Sequence, residues 1–516
     1  MKSKTPSYIL TLQLHTELFQ EYIIDKRLEI ARNIQNALIN VALKKYYHML
    51  DSKLYTKNKK QLNNINKLYH SISNKKEKSQ LNKKRKLLYD KRKDIYSKFG
   101  LTQYSLYTDV KPMYKHFKDN IGSIEAQAIA DNVWSAFDDL LYGDGDKVYF
   151  KKYGTVNSIQ NKWNKSGLKY DEKSNMIIWN GLKIPIIIKK NDIYAQKAIR
   201  DRVKFCRIVR KLIRGTYKYY VQLTLEGIPP TKVDKSTGEI KRSLGQDDVG
   251  LDIGTRTLAI SSKYDVKLVE LCPEIDNIEH QKWLLSRKLD RSRRKTNPDN
   301  YNDNGIIKKG IIINGKRTKL KWIKSNHYIK ILYKLKDIYR KQADIRKQSH
   351  EILSNYILSL GDKFYVEKMN FSGLQKKTKK TTKNKKGKFN KKKRFGKSLA
   401  NKAPAMLIEI LNRKLGYYGS KINKINTTKV KASQYNHITN EYNKKELKDR
   451  WNKDIGIQRD MYSAFLIMNV NDTLDKVDRN KCFNTFDNFK VLHDKEIDRL
   501  KGLKKNGNKL ISSMGI

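Results

Sequence analysis

Three carboxylates set the tightest limit on how this chain can fold. Asp252 lies in Val249-Gly-Leu-Asp-Ile-Gly-Thr-Arg256, and Glu367 closes the apolar run Phe364-Tyr-Val-Glu367. Asp460 sits in Gln458-Arg-Asp-Met-Tyr-Ser-Ala-Phe465. Acids this far apart in sequence meet only if a sheet gathers them, two at strand ends and the third where a last helix opens. Three of them at one sheet edge can hold two divalent ions roughly 4 Å apart, one activating water and one stabilising the leaving oxygen. Magnesium or manganese suits such an all-oxygen site.

That arrangement is the RNase H-like one. The fold expected is α/β and multidomain: the acids call for an RNase H-like nuclease domain, which the resemblance described below makes a RuvC domain, and the periodicity adds a split β-barrel that carries an inserted helical domain. At 516 residues the chain has room for two to four domains.

The charge points to the partner. Lys and Arg number 111 against 52 Asp and Glu, a formal charge of +59. AT-rich codons favour Lys, Asn, Ile and Tyr, but they would raise the acids as well, and the acids are few. A surplus of this size repels itself unless it binds a polyanion, which suits an RNA of many tens of nucleotides together with DNA.

Cys206, Cys272 and Cys482 are far apart and form no C-x-x-C pair, so no disulfide framework or local zinc site is expected. The histidines show neither H-x-x-x-H nor H-E-x-x-H spacing. No apolar run reaches about 18 residues and no signal-peptide core opens the chain. The expectation is a soluble protein of the bacterial cytoplasm or nucleoid, with no membrane partner and with a monomer favoured.

Periodicity lays out the order of domains. Residues 7–14 alternate like a strand, while an amphipathic helix is expected from Asp25 as N-cap. Residues 51–99 read as helical with one weak apolar stripe, and Ser123 opens a cleaner helix stopped at Gly143. Residues 148–150 read as a strand. Hairpins follow at Asn180-Gly181 and Arg214-Gly215. A β-barrel split by about 120 helical residues accounts for this most economically: 1–23 and 144–235 form the barrel, 24–143 the helical insert and 236–246 the linker.

The nuclease domain then spans 247–480, with an irregular insert at 427–457, and 481–516 is a C-terminal tail. Within it, strands at 247–253, 257–262 and 266–271 lead to a basic helix at 280–295 and a long helix within 320–360. The strand delivering Glu367, a helix at 400–418 and a strand at 421–426 follow.

Each site residue has an ordinary alternative. Asp-Ile-Gly-Thr also marks the phosphate hairpin of actin- and sugar-kinase-like ATPases, but no second phosphate loop accompanies it here. Glu367 can be a strand-end acid paired with Lys368, and Asp460 a helix N-terminal acid favoured by the macrodipole. Residues 376–394 hold twelve Lys and Arg and no acid, beginning nine residues after Glu367. The candidate nucleic-acid contacts there are Lys376, Lys377, Lys379, Lys380, Lys391, Lys392, Lys393 and Arg394. Arg291, Arg293 and Arg294 at the end of the basic helix are either a second phosphate clamp or a solvated face.

Gly250-Leu-Asp-Ile-Gly-Thr255, Val366-Glu-Lys-Met-Asn-Phe371 and Gln458-Arg-Asp-Met-Tyr-Ser-Ala464 together resemble the three catalytic motifs of the TnpB family. These are transposon-encoded RNA-guided nucleases, related to compact type V CRISPR effectors. Lys431-Ala-Ser-Gln434 resembles the Ser-Gln that precedes the family's zinc finger. The resemblance spans nearly the whole chain, with the split barrel as wedge domain and the insert as helical recognition domain. It departs at 435–457, which lacks the C-x-x-C pairs, so no zinc is expected and the insert must be held by other means.

The resemblance implies a DNA endonuclease using Mg2+ or Mn2+ at Asp252, Glu367 and Asp460. It further implies a guide RNA derived from the transposon end and a double-stranded DNA target beside a short motif read by the protein. Two rivals remain: an RNA-guided DNA-binding repressor that barely cuts, and a guide-independent transposase or resolvase.

Overall fold

The computed structural model describes residues 5–516, except 144, 232–233, 235, 238–242, 311, 314–315, 377–380, 383–386, 388, 390–394, 445 and 447–448. The chain divides into two compact units, Met1–Pro230 and Thr231–Ile516. Both mix helices with sheet. No helix among the described residues is long and apolar enough to cross a membrane.

The first unit opens with β1 (Ser7–Leu14), whose Tyr8, Leu10, Leu12 and Leu14 are buried in strict alternation. The chain then leaves the sheet for α1 (Leu18–Asp51), α2 (Lys53–Ser71), α3 (Lys75–Lys98), α4 (Gln103–His116) and α5 (Ser123–Tyr142). It returns as β2 (Ser158–Gln160), β3 (Lys169–Asp171), β4 (Met176–Trp179), β5 (Leu182–Ile187), α6 (Ile193–Ala198), β6 (Val203–Ile213) and β7 (Thr216–Glu226). The seven strands run β2-β6-β7-β1-β5-β4-β3, so the N-terminal strand is clamped between two late ones. Both tight hairpins have positive φ at both turn residues, Asn180 and Gly181 at 40° and 82°, Arg214 and Gly215 at 50° and 91°. That is the twist-matched two-residue turn.

Three expectations for this unit need correcting. The sheet is a curled half-barrel: among the described residues its edges β2 and β3 share no ladder. Side chains bridge the gap instead, with Asn161 and Cys206 both donating to the carbonyl of Leu168. Helix α1 begins seven residues before Asp25, where the Glu17 N–H donates to the Gln20 side chain. Asp25 lies inside the helix and accepts from Arg210 and Tyr219 of the sheet at 2.8 and 2.9 Å. Residues 148–150 form no strand, and Tyr149 and Phe150 are exposed.

The second unit begins with an antiparallel meander, β8 (Asp248–Ile253), β9 (Thr257–Ser262) and β10 (Val266–Glu270). Helix α7 (Ile275–Thr296), a short hairpin β11 (Ile312–Ile313) and β12 (Lys316–Arg317), and α8 (Asn326–Leu358) lead to β13 (Lys363–Glu367). Then come α9 (Phe371–Gln375), α10 (Gly396–Lys402), α11 (Pro404–Gly416), β14 (Asn423–Ile425) and α12 (Thr427–Val430). Two small hairpins follow, β15 (Tyr435–Asn436) with β16 (Glu441–Tyr442) and β17 (Trp451–Asn452) with β18 (Ile457–Gln458). Helices α13 (Arg459–Met468) and α14 (Arg479–Lys505) close the unit.

The five-stranded sheet runs β10-β9-β8-β13-β14, with β13 and β14 parallel to β8. Val249, Leu251 and Ile253 face a core built with α8 and α11. Ala259, Val266 and Leu268 face the other core, built with α13 and α14. The result is helix, sheet, helix in three layers.

Two boundaries differ from the sequence expectation. The helix expected at 400–418 is two helices, broken at Ala403 (φ 44°) because Pro404 disfavours helical geometry in the residue before it. Residues 481–516 are no loose tail. Helix α14 buries Cys482, Phe489, His493, Ile497 and Leu500 in the second core.

Candidate active site

Sheet register places the first two acids. Strand β13 pairs in parallel with β8 from Lys363↔Asp248 through Val366↔Leu251, so the next step along both strands sets Glu367 beside Asp252. In-register neighbours on parallel strands lie about 4.8 Å apart and point to one face. That face is set by Gly250, two residues before Asp252. A Cβ on Gly250 would collide with the backbone of Ala464 and Met468, so α13 lies directly on this strand. Asp460 is one turn from Ala464 on the same side of α13, and the helix thereby aims its first turn at Asp252.

The start of α13 is pinned. The Gln458 side chain accepts from the Met461 N–H at 2.8 Å and donates to the Met514 carbonyl at 3.1 Å. The Gln458 N–H donates to Nε2 of His493 on α14 at 3.0 Å. His493 is therefore a neutral acceptor, and burial lowers its pKa in keeping with that role.

The three acids share a cavity of about 460 Å³ with the turn 253–257, Met369, Ser433, Gln434 and Ser513. Its other lining residues are cations, Lys444, Arg450 and Arg459. Burial, reinforced by Asp460 and Glu367, raises the Asp252 pKa well above the usual carboxylate range, against a smaller opposing effect of Arg459. Burial also raises that of Glu367.

Asp460 differs from its two neighbours. Arg459 donates to its Oδ1 from Nε and Nη2 at 3.1 and 3.0 Å, and Arg450 lies 3.8 Å from its Oδ2. Arg459 also donates to the Asp449 carbonyl at 3.0 Å, tying the insert to the site.

Among the described residues no three His, Cys, Asp or Glu side chains form a ready metal cage. The donor set nevertheless suits a hard divalent cation. It is all oxygen, and two of its carboxyls are desolvated with no cation bonded to them among the described residues. Asp460 must exchange its arginines to join them.

The insert after Ser433-Gln434 is held by aromatic packing. His437 is fully buried against Tyr462, Phe465, Phe483 and Phe486, with ring centroids 4.7–5.8 Å away. Its N–H donates to the Tyr462 hydroxyl at 3.1 Å and its Nδ1 lies 2.7 Å from the same oxygen. Arg479 donates to the carbonyls of His437 and Ile438, both at 2.7 Å.

The remaining sequence candidates fall elsewhere. Arg291 is exposed on α7. Arg293 binds Asp290 and stacks 5.2 Å over Trp322. Arg294 binds Asp290 and the Gly305 carbonyl and stacks 4.7 Å over Tyr301. Both thus fasten α7 to the loop after it. Lys376 is exposed just beyond α9. Lys377, Lys379, Lys380, Lys391, Lys392, Lys393 and Arg394 lie outside the described residues.

Sequence reasoning missed Lys444, Arg450 and Arg459 as site residues. Only Arg459 carried a signal, its adjacency to Asp460.

No family model matches this chain, and no curated protein matches it. Among solved structures it is similar to a cryo-EM Cas12f1–sgRNA–target DNA complex, at 11% identity and a TM-score of 0.42, covering 92% of this chain and 100% of that one. A CRISPR-Cas12f ternary complex is similar at 11% identity and a TM-score of 0.24, covering 88% and 82%.

Proposed function

We propose that this chain is an RNA-guided DNA endonuclease of the TnpB kind, with a RuvC-type, RNase H-like active site. The observation that carries the reading is the gathering of Asp252, Glu367 and Asp460 in one cavity whose other charged residues are all cations. The three motif resemblances and the +59 charge agree with it.

Asp252 and Glu367, with Asp460 once its arginines are exchanged, would hold magnesium or manganese. A divalent ion there supplies Lewis acidity for displacement at phosphorus. The protein's own part is electrostatic and positional. Lys444, Arg450 and Arg459 attract the phosphodiester into the cavity and offset the charge that grows on its oxygens. Arg459 and Arg450 neutralise Asp460 until a phosphate competes for them. Gln458 and His493 fix where α13 begins, so that Asp460 stays within reach.

The guide is an RNA from the transposon end, and base pairing with it selects the DNA, while the protein reads a short adjacent motif. The test is to purify the chain from cells carrying its native locus, sequence the bound RNA, and offer DNA complementary to it. A defined RNA with guide-directed cutting is expected. Guide-directed binding without any break would favour the repressor, and cutting without RNA would favour the resolvase.

A further inference from the structure

Helices α2 and α3 pack through both arginines and one lysine, Lys78, which lies 5.8 Å over the Tyr69 ring. The arginines turn inward: Arg85 stacks 4.6 Å over Tyr69, and Arg92 stacks 5.5 Å over Tyr55. Arg92 also donates to Asn58 at 2.9 Å, and Asn58 donates to the Leu88 carbonyl at 2.9 Å. With Leu62 and Leu88 buried between them, these contacts close the pair.

The lysines of α2 turn outward. Lys53, Lys57, Lys60 and Lys67 are exposed and recur at intervals of four, three and seven residues, which forms one stripe about 21 Å long on α2. The helix contains no acid, and none of the four lysines has an acidic partner among the described residues. Beside Lys60 and Lys67 lies a groove of about 510 Å³, also lined by Asn63, Asn64, Asn66 and His70. Folding has spent the arginines on internal staples and left an ordered row of lysines, which are point charges suited to phosphate without base readout.

We propose that this outer face of α2 docks the backbone of an RNA duplex, a structured part of the RNA invoked above; the inference rests on that reading. Repulsion within an acid-free helix is relieved by a polyanion whose phosphates follow the stripe. Asn63 and Asn64 select RNA over DNA. Each amide both donates and accepts, which matches the 2′-hydroxyls lining the wide, shallow minor groove of an A-form helix.

The test uses the full chain and two probes, a generic RNA duplex and the DNA duplex of the same sequence. Binding is followed as salt is raised. Changing Lys53, Lys57, Lys60 and Lys67 together to Gln should flatten the log–log salt dependence on the RNA duplex by about 3.6, roughly 0.9 for each phosphate no longer neutralised. The pairs Lys53/Lys57 and Lys60/Lys67, neutralised separately, should each remove about half of that. The same four changed to Arg should keep the slope. Asn63→Ala with Asn64→Ala should weaken RNA binding several-fold and leave DNA binding alone. If the wild type binds the RNA duplex and the Gln variants keep its slope, the assignment of this helix face fails while the proposed function stands. Equal losses on both probes, with no effect of the amides, overturn the choice of RNA. A wild type that binds no RNA overturns the underlying reading as well.

Discussion

The carbonyl of Ala464 occupies the space that a side chain on Gly250 would need. This one contact seats α13 on β8 and brings Asp460 toward Asp252. The geometry of the cavity therefore depends on a residue that does not line it.

Replacing Gly250 with Ala must push α13 off the strand. Overpacking of this kind costs roughly 1–3 kcal/mol, and more where backbone is the obstacle. The expected outcome is a lower denaturant midpoint and a larger fall in cleavage than stability explains, because the carboxylates separate. A Gly250→Ala protein of unchanged activity would show that α13 is not held by this approach.

Asp252 carries a cost at neutral pH that Asn would remove. Burial and the neighbouring acids raise its folded pKa above the unfolded value, so the folded state holds its proton longer. Stability is then full below the unfolded pKa of about 3.9 and falls as pH rises through the folded value. Asp252→Asn should accordingly melt higher than wild type near neutrality, with the gap closing in acid. Added magnesium should raise wild-type melting and leave the variant unmoved. A variant that melts lower than wild type near neutrality would contradict the desolvated site.

Much of this arrangement was legible in the sequence. Alternation located β1, β6 and β7, and the strand-ending Glu367 and the Asp252 run located the parallel pair. Arg450 escaped because its approach to Asp460 is made only by the fold of the insert. Helix α14 escaped because lysine-rich composition masked apolar residues at 482, 486, 489, 497 and 500, whose helical spacing was there to be counted. The break at Ala403 was signalled by Pro404. Tyr149 and Phe150 look like strand residues by type, yet side chains left in solvent supply no packing to hold a ladder.

The insert rests on His437, whose pKa burial lowers to about 4. A histidine depressed in the folded state contributes stability that is full above the unfolded value of about 6.5 and is lost as pH falls toward 4. Melting should drop through that window, and His437→Phe should flatten the drop. Phenylalanine suits a site already lined by Phe465, Phe483 and Phe486. A chelator should leave melting in a magnesium-free buffer nearly unchanged, whereas a large fall would reveal a structural metal that the aromatic packing does not explain.

The most direct test of the three-carboxylate site compares wild type with Asp252→Ala, Glu367→Ala and Asp460→Ala. Each is loaded with RNA recovered from the native locus and matched for binding to the complementary DNA. In magnesium the wild type should cut, leaving 5′-phosphate and 3′-hydroxyl ends, and EDTA should stop it. Each variant should bind DNA nearly as well and cut at least 100-fold more slowly, because the three acids act as one unit. A single variant that cuts at the wild-type rate would contradict the assignment, as would wild-type cutting that persists in EDTA.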